Sequence, residues 1–172
     1  MDILKTATDW AKAELFSTPF FIVFGLLFVV ASVGFWQLGK TEIARAYIIP
    51  TLVAGVLLLT IGVGLYFTNK SRVVAFETEY HNNPTTFIES EITRAENTLK
   101  EYKTIVFTVI PVLIIVASLL LIFINTPTWR AVCITTIAMM VVILLIDGTA
   151  HARIKAYKAE LEVALGQNSI LQ

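Results

Sequence analysis

The stretch "TIVFTVIPVLIIVASLLLIFINTPTWRAVCITTIAMMVVILLID", residues 104–147, carries no Asp, Glu or Lys before Asp147 and one Arg, Arg130. The four residues "NTPT" at 125–128 divide it into two apolar runs, 105–124 and 129–146. A helix crosses about 30 Å of hydrocarbon with roughly 20 apolar residues, at about 1.5 Å per residue. Each run meets that length, and so short a connection makes the two an antiparallel hairpin. Upstream, residues 16–38 and 47–67 repeat the pattern, joined by "GKTEIARA" at 39–46. The sequence therefore predicts an all-α membrane protein with four transmembrane helices arranged as two antiparallel hairpins.

Composition agrees with this. Hydrophobic residues make up 56% of the 172, far above soluble norms, and the mean hydropathy is +0.76. Thirteen Lys and Arg balance thirteen Asp and Glu, so no net field attracts nucleic acid, and no nucleic-acid partner is expected. The single cysteine, Cys133, lies within an apolar run and reads as a small core hydrophobe. The start, "MDILKTATDW", is acidic and lacks an A-x-A cleavage site, so the first run reads as a retained anchor.

Orientation follows from the basic residues flanking the spans. The two short connections hold three, Lys40, Arg45 and Arg130. The opposite side holds the other ten of the thirteen: Lys5, Lys12, Lys70, Arg72, Arg94, Lys100, Lys103, Arg153, Lys155 and Lys158. Both termini and the central loop are accordingly expected in the cytoplasm, in a membrane with the character of a bacterial inner membrane. Trp36, Tyr47 and Trp129 would then lie at the outer interface, with Tyr66, Tyr102 and Trp10 at the inner one.

Beyond the spans the chain keeps helical periodicity. Ile88, Ile92, Ala95, Leu99 and Tyr102 form a stripe with 4-3-4-3 spacing, and Thr86 with Glu89 suggests a capping box. "HNNP" at 81–84 is the strong breaker of the loop. Ile154, Tyr157, Leu161 and Ala164 continue a stripe beyond span 4. Spans 2, 3 and 4 are thus expected to extend into a cytoplasmic helical bundle. The resulting division is an interfacial or cytoplasmic amphipathic helix at 1–15, hairpin 1 at 16–68, a helical loop at 69–104, hairpin 2 at 105–147, and a C-terminal helix and tail at 148–172. Ile3, Ala7, Trp10 and either Ala11 or Glu14 give the first segment its weak amphipathic face, and "GQNSILQ" reads as a frayed end.

A shift of 86 residues lays "VVAS" at 29–32 on "IVAS" at 115–118. It also lays Thr18, Gly25, Ser32 and Gly39 on Thr104, Pro111, Ser118 and Asn125, two rows spaced by sevens. The echo is compatible with a tandem repeat and with chance likeness between apolar helices. In either case, every seventh residue returns to nearly one helix face, which suits close left-handed packing. Thr18, Gly25, Ser32 and Gly39, then Gly55 and Gly62, then Pro111 and Ser118, are the expected helix-packing positions. Ser17, Ser32, Thr60, Ser118, Thr135 and Thr136 lack a histidine or carboxylate at comparable depth and read as interhelical hydrogen-bonding groups.

Candidate chemistry concentrates at "IDGTAHARIKAYKAEL", 146–161. From Asp147 to Arg153 it resembles part of the CDP-alcohol phosphotransferase signature, D-x-x-D-G-x-x-A-R followed by further aspartates. In that family the aspartates converge on divalent metal and the CDP diphosphate. Here Leu144 stands at the first aspartate position, the motif carries one extra residue, and no later D-x-x-x-D follows. The extra residue turns Arg153 by about 100° around the helix, so no site is carried over. Asp147 with His151, and Glu77 with His81, are i,i+4 pairs, but His81 lies roughly 20 Å beyond span 2 if helical. No metal and no cofactor is therefore expected. Asp147, His151 and Arg153 stay as candidate functional or ion-pairing residues at the inner boundary, Asp147 being expected to pair with Lys70, Lys103 or Arg153.

The function expected is a non-enzymatic scaffold or accessory subunit. Its partners would be the lipid bilayer and other copies of itself or a larger membrane complex. The alternatives are an oligomeric channel or small-solute transporter with its pathway between protomers, and an enzyme acting on lipid head groups at the inner interface.

Overall fold

The computed structural model describes residues 2–170, with side chains through Gly166. It is all-helical, with no strand among the described residues. Helix α1 spans Ile3–Leu38, α2 is a short turn at Glu42–Ala46, and α3 spans Ile48–Asn82. Helix α4, Pro84–Glu101, passes through a π-helical segment, Tyr102–Val109, into α5, Ile110–Phe123. Helix α6 runs Pro127–Ile170 and so includes most of the segment expected to fray; residues 171 and 172 lie outside the described residues. Four helices are long and apolar enough to cross a membrane.

Their lengths exceed that need. The 36 residues of α1 and the 44 of α6 measure about 54 and 66 Å at the helical rise, against roughly 30 Å of hydrocarbon. Each helix therefore combines an apolar length with a polar end. Residues 3–15, expected as a cytoplasmic or interfacial amphipathic helix, form the first turns of α1. Their stripe of Ile3, Ala7, Trp10 and Ala11 is buried by protein, because the polar ends of α3, α4 and α6 offer matching stripes.

Local chemistry explains the breaks. Asn83 leaves helical geometry between α3 and α4, and its side-chain oxygen accepts the Thr86 backbone N–H at 3.1 Å. Asn83, not Thr86, is thus the cap, and Pro84 fits directly after it because the first helical residue needs no N–H partner. Asn83→Ala should lower stability by about 1 kcal/mol, readable as a lower thermal midpoint in detergent. At the other ends, Arg45 Nε donates to the Gly39 carbonyl at 3.1 Å, and Arg130 Nη1 to Leu121 O at 3.1 Å. Both satisfy carbonyls left open where a helix stops.

The π-helical segment has its cause in Pro111. Proline brings no N–H and crowds the carbonyl four residues back. The wider turn re-pairs the chain at i to i−5: Ile110 N–H meets Ile105 O, and Thr108 Oγ1 donates to Lys103 O at 2.9 Å.

Two cores hold the helices. At the polar end, Ile3, Trp10, Phe76, Ile88, Tyr157 and Leu161 belong to one buried cluster. In the apolar length, Phe21, Leu58, Val142 and Ile146 join α1, α3 and α6. Helices α1 and α3 touch main chain to main chain. A Cβ on Gly25 would come within 2.9 Å of Leu59 N, and one on Gly55 within 2.8 Å of Gly25 O. A Cβ on Gly62 would meet Ile22 N at 3.0 Å. These pairings run antiparallel, and Ser32 closes the series by donating to Ile48 O at 2.7 Å.

Other members of the expected packing rows do different work. Gly39 ends α1, and Ser118 faces outward with its hydroxyl on Ile114 O, while neighbouring Ala117 takes the buried position. Ser17 and Thr60 likewise donate to carbonyls four residues back on their own helices, at 3.2 and 2.8 Å. Of the hydroxyls expected to cross between helices, Ser32 does so; Thr135 is buried with no partner for its hydroxyl.

Candidate functional site

Where the apolar lengths meet the polar ends, the helices enclose a cavity of about 580 Å³. Trp10, Glu14, Ser17 and Thr18 from α1, Asn69 and Arg72 from α3, Arg94, Thr98 and Glu101 from α4, Tyr102 from the π-helical segment and Asp147 from α6 form its polar part. Phe21, Leu65, Val109, Leu113 and Ile143 form its apolar part. The Cα atoms of α3 nowhere come within 8 Å of those of the π-helical segment or α5. Ile61 and Leu65 on one side, and Ile105, Val109 and Leu113 on the other, line the cavity and are also exposed. The cavity therefore opens sideways, through a slot with apolar lips.

The polar wall is a linked set. Glu91, 5% exposed, accepts from Arg94 through both guanidinium branches and from the Tyr157 hydroxyl at 2.8 Å. Tyr157 stacks on Trp10 with ring centroids 4.9 Å apart, and the Arg94 guanidinium lies 4.4 Å from the Trp10 centroid. Helices α1, α4 and α6 thus meet through one stack of aromatic rings and cations. Burial, with the Glu91 carboxylate beside it, holds the Tyr157 phenol well above its usual range, so it stays a donor.

One turn nearer the apolar length, Arg153 Nε donates to Glu14 at 2.9 Å. That contact corrects the expected partner of Asp147. Arg153 points to α1, because six residues at about 100° each set it about 120° around the helix from Asp147, and among the described residues no ion pair reaches Asp147. His151 packs edge-on against Phe107 and Tyr102, at 4.9 and 5.8 Å between centroids. The three boundary candidates are therefore split: Asp147 lines the cavity, Arg153 joins α6 to α1, and His151 packs on the π-helical segment. Glu77 and His81 lie elsewhere, His81 against Tyr80 at the α3–α4 turn. No group of three or more metal-ligating side chains occurs among the described residues.

Arg72 was counted in the sequence only as a topological charge. Its Nη1 donates to Asn69 Oδ1 at 3.1 Å, and no carboxylate lies within ion-pair distance among the described residues. Burial and the neighbouring Arg94 cation pull its guanidinium below the usual arginine range. Two buried donors also lack acceptors: Trp10 Nε1, whose residue lines the cavity, and Arg153 Nη2, whose residue does not. No local sequence pattern signals this, since the groups come from three helices.

Compared with known protein families, curated proteins and solved structures, the chain matches none.

Proposed function

We propose that the chain is a multi-pass membrane protein without catalytic activity, serving as an oligomeric scaffold or accessory subunit. Its polar end, with both termini and the 69–104 segment, lies in the cytoplasm. The ten-to-three excess of Lys and Arg on that side supports the orientation.

The observation that carries the scaffold reading is α5. Of its 14 residues, only Ile110 and Ala117 are buried within the chain. Val112, Ile115, Val116, Leu119 and Ile122 face outward, toward lipid or a second protein. By contrast, Glu91 with Tyr157, and Glu14 with Arg153, are engaged in joining helices. This favours an architectural role over acid–base work.

Single cysteines on the outer face of α5 test it, and the native Cys133 is buried and gives little background. Val116→Cys or Leu119→Cys is expected to form disulfide-linked dimers in native membranes, whereas Ala117→Cys, on the buried face, is not. Monomer alone for both outward cysteines, together with a monomeric mass in mild detergent, would remove the scaffold reading.

A further inference from the structure

We propose that the cavity is a phospholipid site, with the phosphate held at Arg72 and Trp10 and an acyl chain in the slot between α3 and α5. The inference uses the membrane placement above and does not depend on oligomerisation.

Its first support is an excess of donors. Arg94 and Arg153 have carboxylate partners, but Arg72 has only the neutral Asn69. Trp10 Nε1, which also lines the cavity, is buried without any acceptor. Unmet buried donors cost free energy, and a phosphate supplies several acceptor oxygens with one negative charge, complementary to Arg72, the cavity-lining cation without a carboxylate partner.

The second support is shape. The cavity is polar where the helices have their polar ends and apolar toward their apolar length. A volume near 580 Å³ falls in the range that takes a small amphiphile. Because α3 and α5 stand apart, a ligand chain has a lateral path into the slot that avoids the packed polar end. Nucleotides and sugar phosphates match the donors but leave the apolar slot unfilled. Fatty alcohols and diacylglycerol fill the slot but leave the donors unmet.

Asp147 adds a constraint. It and Glu101 are cavity carboxylates with no ion-pair partner among the described residues, so a head group bearing an amine or hydroxyls suits the site better than one with a second negative charge. Phosphatidylethanolamine and phosphatidylglycerol should therefore both bind, and phosphatidic acid, carrying extra charge, should bind less.

Native mass spectrometry of the full chain released from detergent micelles, with defined lipids added, tests the proposal. Wild type should retain one phosphatidylethanolamine or phosphatidylglycerol, and diacylglycerol with the same chains should be lost. Arg72→Gln should weaken retention about tenfold or more, as expected for losing a charge-assisted contact, with Arg72→Lys intermediate. Leu113→Trp, which fills the slot from α5, should also expel the lipid while keeping the wild-type melting temperature. Lys70→Gln, removing an exposed cation on the same helix, should change nothing. Equal retention by Arg72→Gln and wild type, or equal retention of diacylglycerol, would overturn the site. A protein that needs detergent but retains none of these phospholipids would overturn it too, leaving the membrane placement intact.

Discussion

Gly55→Leu is expected to leave no stably folded α1–α3 pair in detergent. A Cβ at that position already meets Gly25 O at 2.8 Å and Val29 N at 2.9 Å, and backbone atoms cannot move aside as a side-chain tip can. Overpacking in a close-packed interior typically costs about 1–3 kcal/mol, a range suited to Gly55→Ala. Leucine adds three further carbons at a point where two helices touch through their main chains, and total stability in proteins is only about 5–15 kcal/mol. The natural comparison is Gly64, nine residues on, whose Cβ would meet nothing within 4 Å. Gly64→Ala should be neutral, or stabilising by up to about 1 kcal/mol through helix propensity. Unfolding midpoints in a denaturing-detergent titration distinguish the two. Equal effects would mean that α1 and α3 do not meet at Gly55.

The second large effect is expected at Glu91. Glu91→Ala removes the acceptor for both Arg94 branches and for the Tyr157 hydroxyl. Arg94, whose side chain is 22% exposed, would be left largely buried without a counter-charge. Removing one partner of such a pair costs about 3–5 kcal/mol, while replacing the whole pair by apolar groups is much less damaging. Glu91→Ala should therefore lower the midpoint strongly and loosen the polar end. Glu91→Leu with Arg94→Met should recover much of the loss, and Tyr157→Phe alone should cost about 1 kcal/mol. The exposed bridges of Lys158 to Glu96 and Glu162 should contribute little by comparison. If the double variant were no better than Glu91→Ala alone, the carboxylate would be acting through something other than Arg94.

These residues show what is legible in a chain of this kind. The four apolar lengths are read directly, since uninterrupted hydrophobicity has few other causes. Gly25, Gly55 and Gly62 could be picked out because a small residue returning every seventh position marks one helix face. Ile154, Tyr157 and Leu161 could be found because a polar background makes an apolar stripe visible.

The same background effect explains what the sequence hides. In the apolar length every face is hydrophobic, so nothing in the letters of α5 says that it lies beside α6 and away from α3. The slot follows from that missing contact. Gly39 and Ser118 fit the seven-residue rows by spacing, yet Gly39 lies past a helix end and Ser118 one position off the buried line. The π-helical segment has one readable trace, Pro111, whose place in a seven-residue row gives no sign of the i to i−5 pairing. Arg72, Trp10 and Arg153 gave no sign, because donors without acceptors appear only once helices distant in sequence are placed side by side. Asp147 drew attention as the first charge after a long apolar run, and it does line the cavity. Of its three expected partners, Arg153 is taken by Glu14 across 139 positions of sequence, and neither Lys70 nor Lys103 forms an ion pair with it.

The central claim is that four helices cross the membrane with the polar end on the cytoplasmic side. Labelling of single cysteines in sealed vesicles of known orientation, by a reagent that cannot cross the bilayer, tests it most directly. Cysteines at Lys40 and Thr126, in the two short connections, should react only from the outer side. Cysteines at Asn82, Lys100 and Lys155 should react only from the cytoplasmic side. Reaction of Lys40→Cys and Lys100→Cys from the same side would contradict the account.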